Sequence, residues 1–129
     1  MTCYWNAILA TLNKHEKEVL GVTSNTPMVL ARQLQIRNNN VKINNIIWNG
    51  KLLSKQELLE HQKAIKEYNL KGIYNGHLCG TCDSFLILLS FILGWEIHHR
   101  YLKYNIYYKN KCITKRRVFF KSNRGHFYI

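Results

Sequence analysis

Proline is nearly missing from this chain, with one in 129 residues, and glycine is limited to seven. Extended low-complexity linkers and Pro-rich recognition segments are therefore excluded. Acidic residues are scarce: seven Asp and Glu face nineteen Lys and Arg, a formal charge of +12. Such a balance bears on partners rather than on fold, and it favours acidic ones such as RNA or DNA. Long apolar runs are also missing. The longest, 85–93, falls far short of the roughly 20 residues a bilayer span needs, so no membrane partner is expected. The N-terminus lacks the basic, apolar and small-residue order of a secretory signal. The expected location is therefore cytoplasmic or virion-associated, not secreted. The four cysteines then serve as thiols or ligands rather than as a disulfide framework.

What remains is ample for one core. The chain is 47% hydrophobic and 12% aromatic, so a single domain over residues 1–129 is expected. The abundance of Asn, Ile, Lys and Tyr resembles the bias of an AT-rich genome, common in large DNA viruses and some parasites, and bears on origin only.

Helical spacing is visible from the start, where Tyr4, Trp5, Ile8, Leu9 and Leu12 recur on one face. A second helix is announced by Asn25 or Thr26 as cap and Pro27 at the first helical position, and the asparagines at 38–40 end it. The sequence Ser54-Lys55-Gln56-Glu57 is a capping box, which predicts a third helix over about 55–68. Residues 71–82 carry three glycines and no helical period, and read as a loop. Asp83 or Ser84 then caps a helix over 85–93, apolar on every side and stopped by Gly94, which places it at the centre of the core. Alternation after it predicts strands over 95–101, 104–108, 112–120 and 126–129. The expected fold is α+β, with N-terminal helices and a central buried helix packed on a C-terminal antiparallel sheet.

Chemistry could sit first at Cys3. It heads an apolar helix, where unpaired backbone N–H groups favour a thiolate and so a nucleophile. His126 follows a Gly-containing turn and opens the last predicted strand, where the sheet can hold its ring rigidly as general base and acid. The segment Cys79-Gly80-Thr81-Cys82 has the spacing of half a zinc site, for which His77 and Cys112 are the remaining ligand candidates. Thiols beside the central helix are the simpler reading, and no metal or other cofactor is expected. His98 and His99 lie on opposite faces of a strand and read as ordinary sheet residues.

The order of these features resembles the ovarian tumour (OTU) family of papain-like cysteine proteases, most of which remove ubiquitin. Cys3-Tyr4-Trp5-Asn6-Ala7-Ile8 is similar to that family's nucleophile helix. The segment Asn75-Gly76-His77-Leu78-Cys79-Gly80, then Phe85-Leu86 and the run to Gly94-Trp95-Glu96-Ile97, resembles its glycine-containing loop, central helix and following strand. Gly125-His126-Phe127 resembles its terminal His plus aromatic. The resemblance implies a papain-type fold, Cys3 as nucleophile, His126 as base, and ubiquitin or ubiquitinated proteins as partners. The chain departs from the family in two places. Where members usually carry Asp-Gly-Asn before the Cys, to supply oxyanion donors, Met1 and Thr2 stand here. Tyr128 replaces the Asp or Asn often found two residues after the His. Thr2 and Asn6 are the candidate oxyanion or orienting residues, with Asn123 and Asp83 as further candidates for orienting the imidazole.

A rival reading keeps the scaffold without the catalysis. Nine of the nineteen cations, and no acid, follow Glu96, interleaved with Tyr101, Tyr104, Tyr107, Tyr108, Phe119 and Phe120. Such a mixture can pair phosphates and stack bases. Lys115, Arg116, Arg117, Lys121 and Arg124 are the candidate polyanion-binding residues. In that reading the domain is a basic structural or nucleic-acid-binding component of a virion or ribonucleoprotein. A zinc-stabilised binding module organised by Cys79 and Cys82 is a third reading.

Overall fold

The computed structural model describes residues 2–74 and 82–129. Helix α1 (Cys3–Thr11) is followed by α2 (Lys14–Leu20), α3 (Pro27–Asn40), the hairpin β1 (Ile46–Trp48) and β2 (Lys51–Leu52), and α4 (Lys55–Glu67). After a 3-10 turn at Leu70–Gly72 come α5 (Cys82–Leu93), β3 (Trp95–Tyr101), β4 (Tyr104–Asn110), β5 (Arg116–Ser122) and β6 (Phe127–Tyr128). The fold is α+β. The strands form one six-stranded sheet in the order β2-β1-β4-β3-β5-β6.

Local chemistry accounts for most boundaries. Thr26 accepts the Val29 N–H ahead of Pro27, and Ser54 and Glu57 close a reciprocal capping box. A second capping box, Asn13 with Glu16, starts α2, and Gly21 in the left-handed region ends it. This helix lies outside the expectations drawn from the sequence, although the Asn-x-x-Glu spacing and the glycine signal it. The β1–β2 hairpin lies outside them as well, and its two-residue Asn49-Gly50 turn has positive φ at both positions, the conformation Asn-Gly favours.

The sheet differs from the expectation in one further respect. β3 pairs with β4 antiparallel but with β5 parallel, from Trp95↔Arg116 to Tyr101↔Ser122, so the sheet is mixed rather than antiparallel. The reason is the length of the 111–115 connection. It carries the chain back to the start of β3, where the N–H groups of Lys115 and Arg116 donate to the Gly94 carbonyl at 2.8 and 3.4 Å. A two-residue turn after β4 would instead have placed the next strand antiparallel. Strand β5 consequently begins at Arg116, and residues 112–115 of the predicted strand are connection.

Helix α5 is the centre of the core, with Phe85, Leu86, Ile87, Leu88 and Leu89 fully buried. It packs on β3, β4 and α4. Trp5, Trp95, Tyr108 and Phe120 complete the interior. All helices therefore gather on one side of the sheet, and alternate strand residues on the other side face solvent. No helix among the described residues is long and apolar enough to cross a membrane.

Candidate active site

Residues distant in sequence meet where α1 lies against β6. The Tyr4 ring packs edge-on against Phe127, with centroids 4.8 Å apart. This contact joins the first helix to the last strand. Next to it, the first turn of α1, the first turn of α5, the ends of β3 and β4 and the β5–β6 turn enclose a cavity of about 320 Å³. Cys3 and His126 both line it. The half-buried Cys3 is the first residue of α1, after Thr2, and no side chain caps that turn. The N–H groups that open a helix have no intrahelical partner, so they are left for water or a substrate oxygen.

His126 is exposed and lines the same cavity, on a turn built by Asn123. The Asn123 side-chain oxygen accepts the N–H groups of Gly125 and His126 at 3.0 and 2.9 Å, and the Asn123 N–H donates to the His126 carbonyl at 2.9 Å. The backbone of His126 is thereby fixed. Its ring makes no hydrogen bond among the described residues.

The candidate orienting residues separate clearly. Asn6 is exposed and does not line the cavity, nor does Thr2, whose carbonyl accepts the Asn6 N–H at 2.8 Å. Neither residue lines the cavity that Cys3 and His126 share, so neither side chain is placed to orient the imidazole. Asn123 lines the cavity, but its acceptor is occupied by the turn. Asp83 lines it too and accepts the Tyr108 hydroxyl through one oxygen. Burial, and then the Asp83 charge, hold the Tyr108 phenol protonated well above its usual range. Tyr4 is held protonated likewise, chiefly by burial, and donates to the Cys82 carbonyl at 2.8 Å.

His99 reads as an ordinary sheet residue in the sequence, but it lines this cavity. The two neighbouring histidines do face opposite ways, but His99 is 6% exposed and lines the cavity. Its Nε2 lies 2.6 Å from the Ser122 hydroxyl, while its Nδ1 is buried without a partner. The signal was present in the alternation, since 95, 97 and 99 share a face and Trp95 and Ile97 are core. Burial depresses the His99 pKa, against a smaller opposing pull from Asp83. His61, 2.9 Å from the Ser84 hydroxyl, is also depressed by burial.

These two shifts predict the acid limb of the stability curve. The unfolded chain binds protons near the ordinary histidine value of about 6.5, before the folded chain does, so stability is full above that pH and declines below it. We expect the urea midpoint to fall between pH 7.5 and 5.5, with His99→Gln flattening the decline. A midpoint independent of pH across that interval would refute it. The carboxylates whose pKa is lowered, Glu57 and Glu96, lose their contribution only at lower pH.

The four-ligand metal reading is corrected. His77 and Cys79 lie outside the described residues. Cys82 opens α5 at the cavity, whereas Cys112 is exposed beyond β4, next to Asn110, whose amide donates to the carbonyl of Phe91 near the other end of α5. A helix rising about 1.5 Å per residue keeps those two positions too far apart for one ion. No group of three or more metal-ligating side chains occurs among the described residues.

The polyanion residues are also sorted by the structure. Arg116 faces inward, where its guanidinium binds the Glu16 carboxylate and donates to the Thr11 carbonyl at 2.8 Å; it is a structural cation, not a free one. Arg117 and Lys121 are exposed on the outer sheet face, Lys115 is exposed in the connection beside Gly94, and Arg124 lines the cavity. Of the interleaved aromatics, Tyr108 and Phe120 are core.

Comparison with protein-family models, with curated proteins and with solved structures found no match.

Proposed function

We propose that this protein is an OTU-like cysteine hydrolase that removes ubiquitin or a ubiquitin-like modifier. The observation that supports this reading is the convergence of Cys3 and His126 on one cavity, although 122 positions separate them in the chain. The Cys3 thiolate attacks the carbonyl carbon of the isopeptide or peptide bond, and the oxyanion forms beside the uncapped first turn of α1. His126, protonated on taking the thiol proton, passes it to the leaving amine. That leaves a thioester on Cys3. Water, deprotonated by His126, then attacks the thioester and releases the carboxylate and the thiol.

The test is covalent. Ubiquitin with a thiol-reactive group at its C-terminus should add one ubiquitin to the chain, at Cys3, and Cys3→Ser should abolish the adduct. No adduct, or an adduct mapped to Cys82 on the same cavity, would overturn the assignment.

A further inference from the structure

The solvent face of the sheet belongs to none of this chemistry. Strand alternation points Glu96, His98 and Arg100 of β3, Asn105, Tyr107 and Lys109 of β4, and Arg117, Phe119 and Lys121 of β5 away from the helices. The register then orders them. His98 stands opposite Tyr107 on one side and Phe119 on the other, with ring centroids 4.7 and 5.2 Å from it. Three aromatic rings thus form a continuous row across the middle of the sheet. Tyr107 and Phe119 are 43% and 56% exposed.

Cations flank that row on both sides. Arg100 and Lys121 are register partners two residues along the strands in one direction; in the other, Arg117 is the register partner of Glu96 and the Lys109 ammonium lies near the same carboxylate. Glu96 is the single acid of the face. It is already engaged, accepting from Arg117 at 2.6 Å and from His98 at 3.0 Å, with the Lys109 ammonium 4.0 Å away. Hydrogen bonds from His98 and then Arg117 hold its pKa below the usual carboxylate range, so at neutral pH it neutralises one cation and leaves the face positive.

We infer that this face binds single-stranded nucleic acid, with the bases stacked on the Tyr107–His98–Phe119 row and the backbone phosphates on Arg100, Lys121, Lys109 and Arg117. Unpaired bases present the flat faces that an aromatic row needs, whereas a duplex hides them, and an acidic protein segment would use the cations but not the rings. RNA and DNA single strands share this chemistry. The face is independent of the cavity, since adjacent residues of β3 point to each: His99 inward, His98 outward.

The experiment is fluorescence anisotropy of the full chain with labelled twelve-nucleotide RNA and DNA single strands, a DNA duplex of the same length, and polyglutamate as competitor. Either single strand should bind at low salt and weaken as salt rises, with a log–log slope of roughly −2 to −3 for three to four phosphates. Tyr107→Ala with Phe119→Ala should weaken binding by about tenfold or more at unchanged slope, because no charge is removed. Phe119→Leu keeps the apolar bulk and should still weaken it. Arg100→Ala with Lys121→Ala should flatten the slope. Lys63→Ala with Lys66→Ala, cations on α4, should change little. The inference is overturned if neither strand binds at low salt, if duplex binds or polyglutamate competes as well as the single strand, or if the α4 pair weakens binding as much as the sheet pairs. Circular dichroism of each variant confirms that these exposed positions leave the fold intact.

Discussion

His126→Ala is expected to slow the reaction of Cys3 with the ubiquitin electrophile by about 100-fold or more, the range over which a positioned acid-base group contributes. The expectation rests on where His126 sits. Its backbone is pinned by two hydrogen bonds to Asn123, with a third from the Gly125 N–H closing the turn, and it lines the cavity that Cys3 lines. His99, the second imidazole there, supplies the natural comparison. It is buried, depressed in pKa and held by Ser122, so it stays neutral and cannot serve as the ion-pair partner of a thiolate. His99→Gln should therefore alter stability and its pH dependence more than the rate at Cys3. Rates measured on both variants after matching the folded fraction decide between them. If His99→Gln were the slow variant and His126→Ala reacted normally, the base would be misassigned.

The second large effect is on folding. Glu16 is 6% exposed and gathers donors from three elements: its own cap residue Asn13 at 2.9 Å, the Trp95 indole N–H, and the Arg116 guanidinium. Arg116 in turn reaches the Thr11 carbonyl at the end of α1 and lies over the Trp95 ring, 5.8 Å from its centroid. This network joins α1 and α2 to the first residues of β3 and β5. Glu16→Ala should lower the unfolding free energy by about 2 kcal/mol, the cost of leaving the buried Trp95 indole donor without its acceptor and of losing an ion pair whose cation is partly exposed. The double variant Glu16→Ala, Arg116→Ala should be less destabilised than the sum of the singles, because each single already breaks the shared interaction. Denaturant unfolding measures both, and a loss below about 1 kcal/mol for Glu16→Ala would show that water replaces the network. Arg116→Ala should likewise alter stability without altering affinity for single strands, which separates it from the outward-facing Arg117.

Glu16 also marks the limit of what a linear reading recovers. Its capping spacing with Asn13 is local and visible. Its second role depends on Trp95 and Arg116, 79 and 100 positions away, and no local pattern encodes that. The parallel pairing of β3 with β5 is of the same kind. Strand propensity resides in Trp95–Tyr101 and Arg116–Ser122 themselves, but the direction of pairing was decided by how the 111–115 connection packs under Gly94.

The sequence by itself determined the helix starts at Thr26-Pro27 and Ser54, the buried character of the 85–93 run, the alternation of the later strands, and the candidacy of Cys3 and His126. Each follows from side chains acting on backbone within a few residues: a cap oxygen, a fixed proline φ, a period of two or 3.6. Only the tertiary structure decided that Cys3 and His126 share a cavity, that His99 and Asp83 join them there while Asn6 does not, and that the C-terminal cations divide between an interior ion pair and an open face. Those outcomes depend on long-range packing. The Tyr4–Phe127 contact carries the last strand to the first helix, and the sheet register converts a scattered run of Tyr, His, Phe, Lys and Arg into ordered rows.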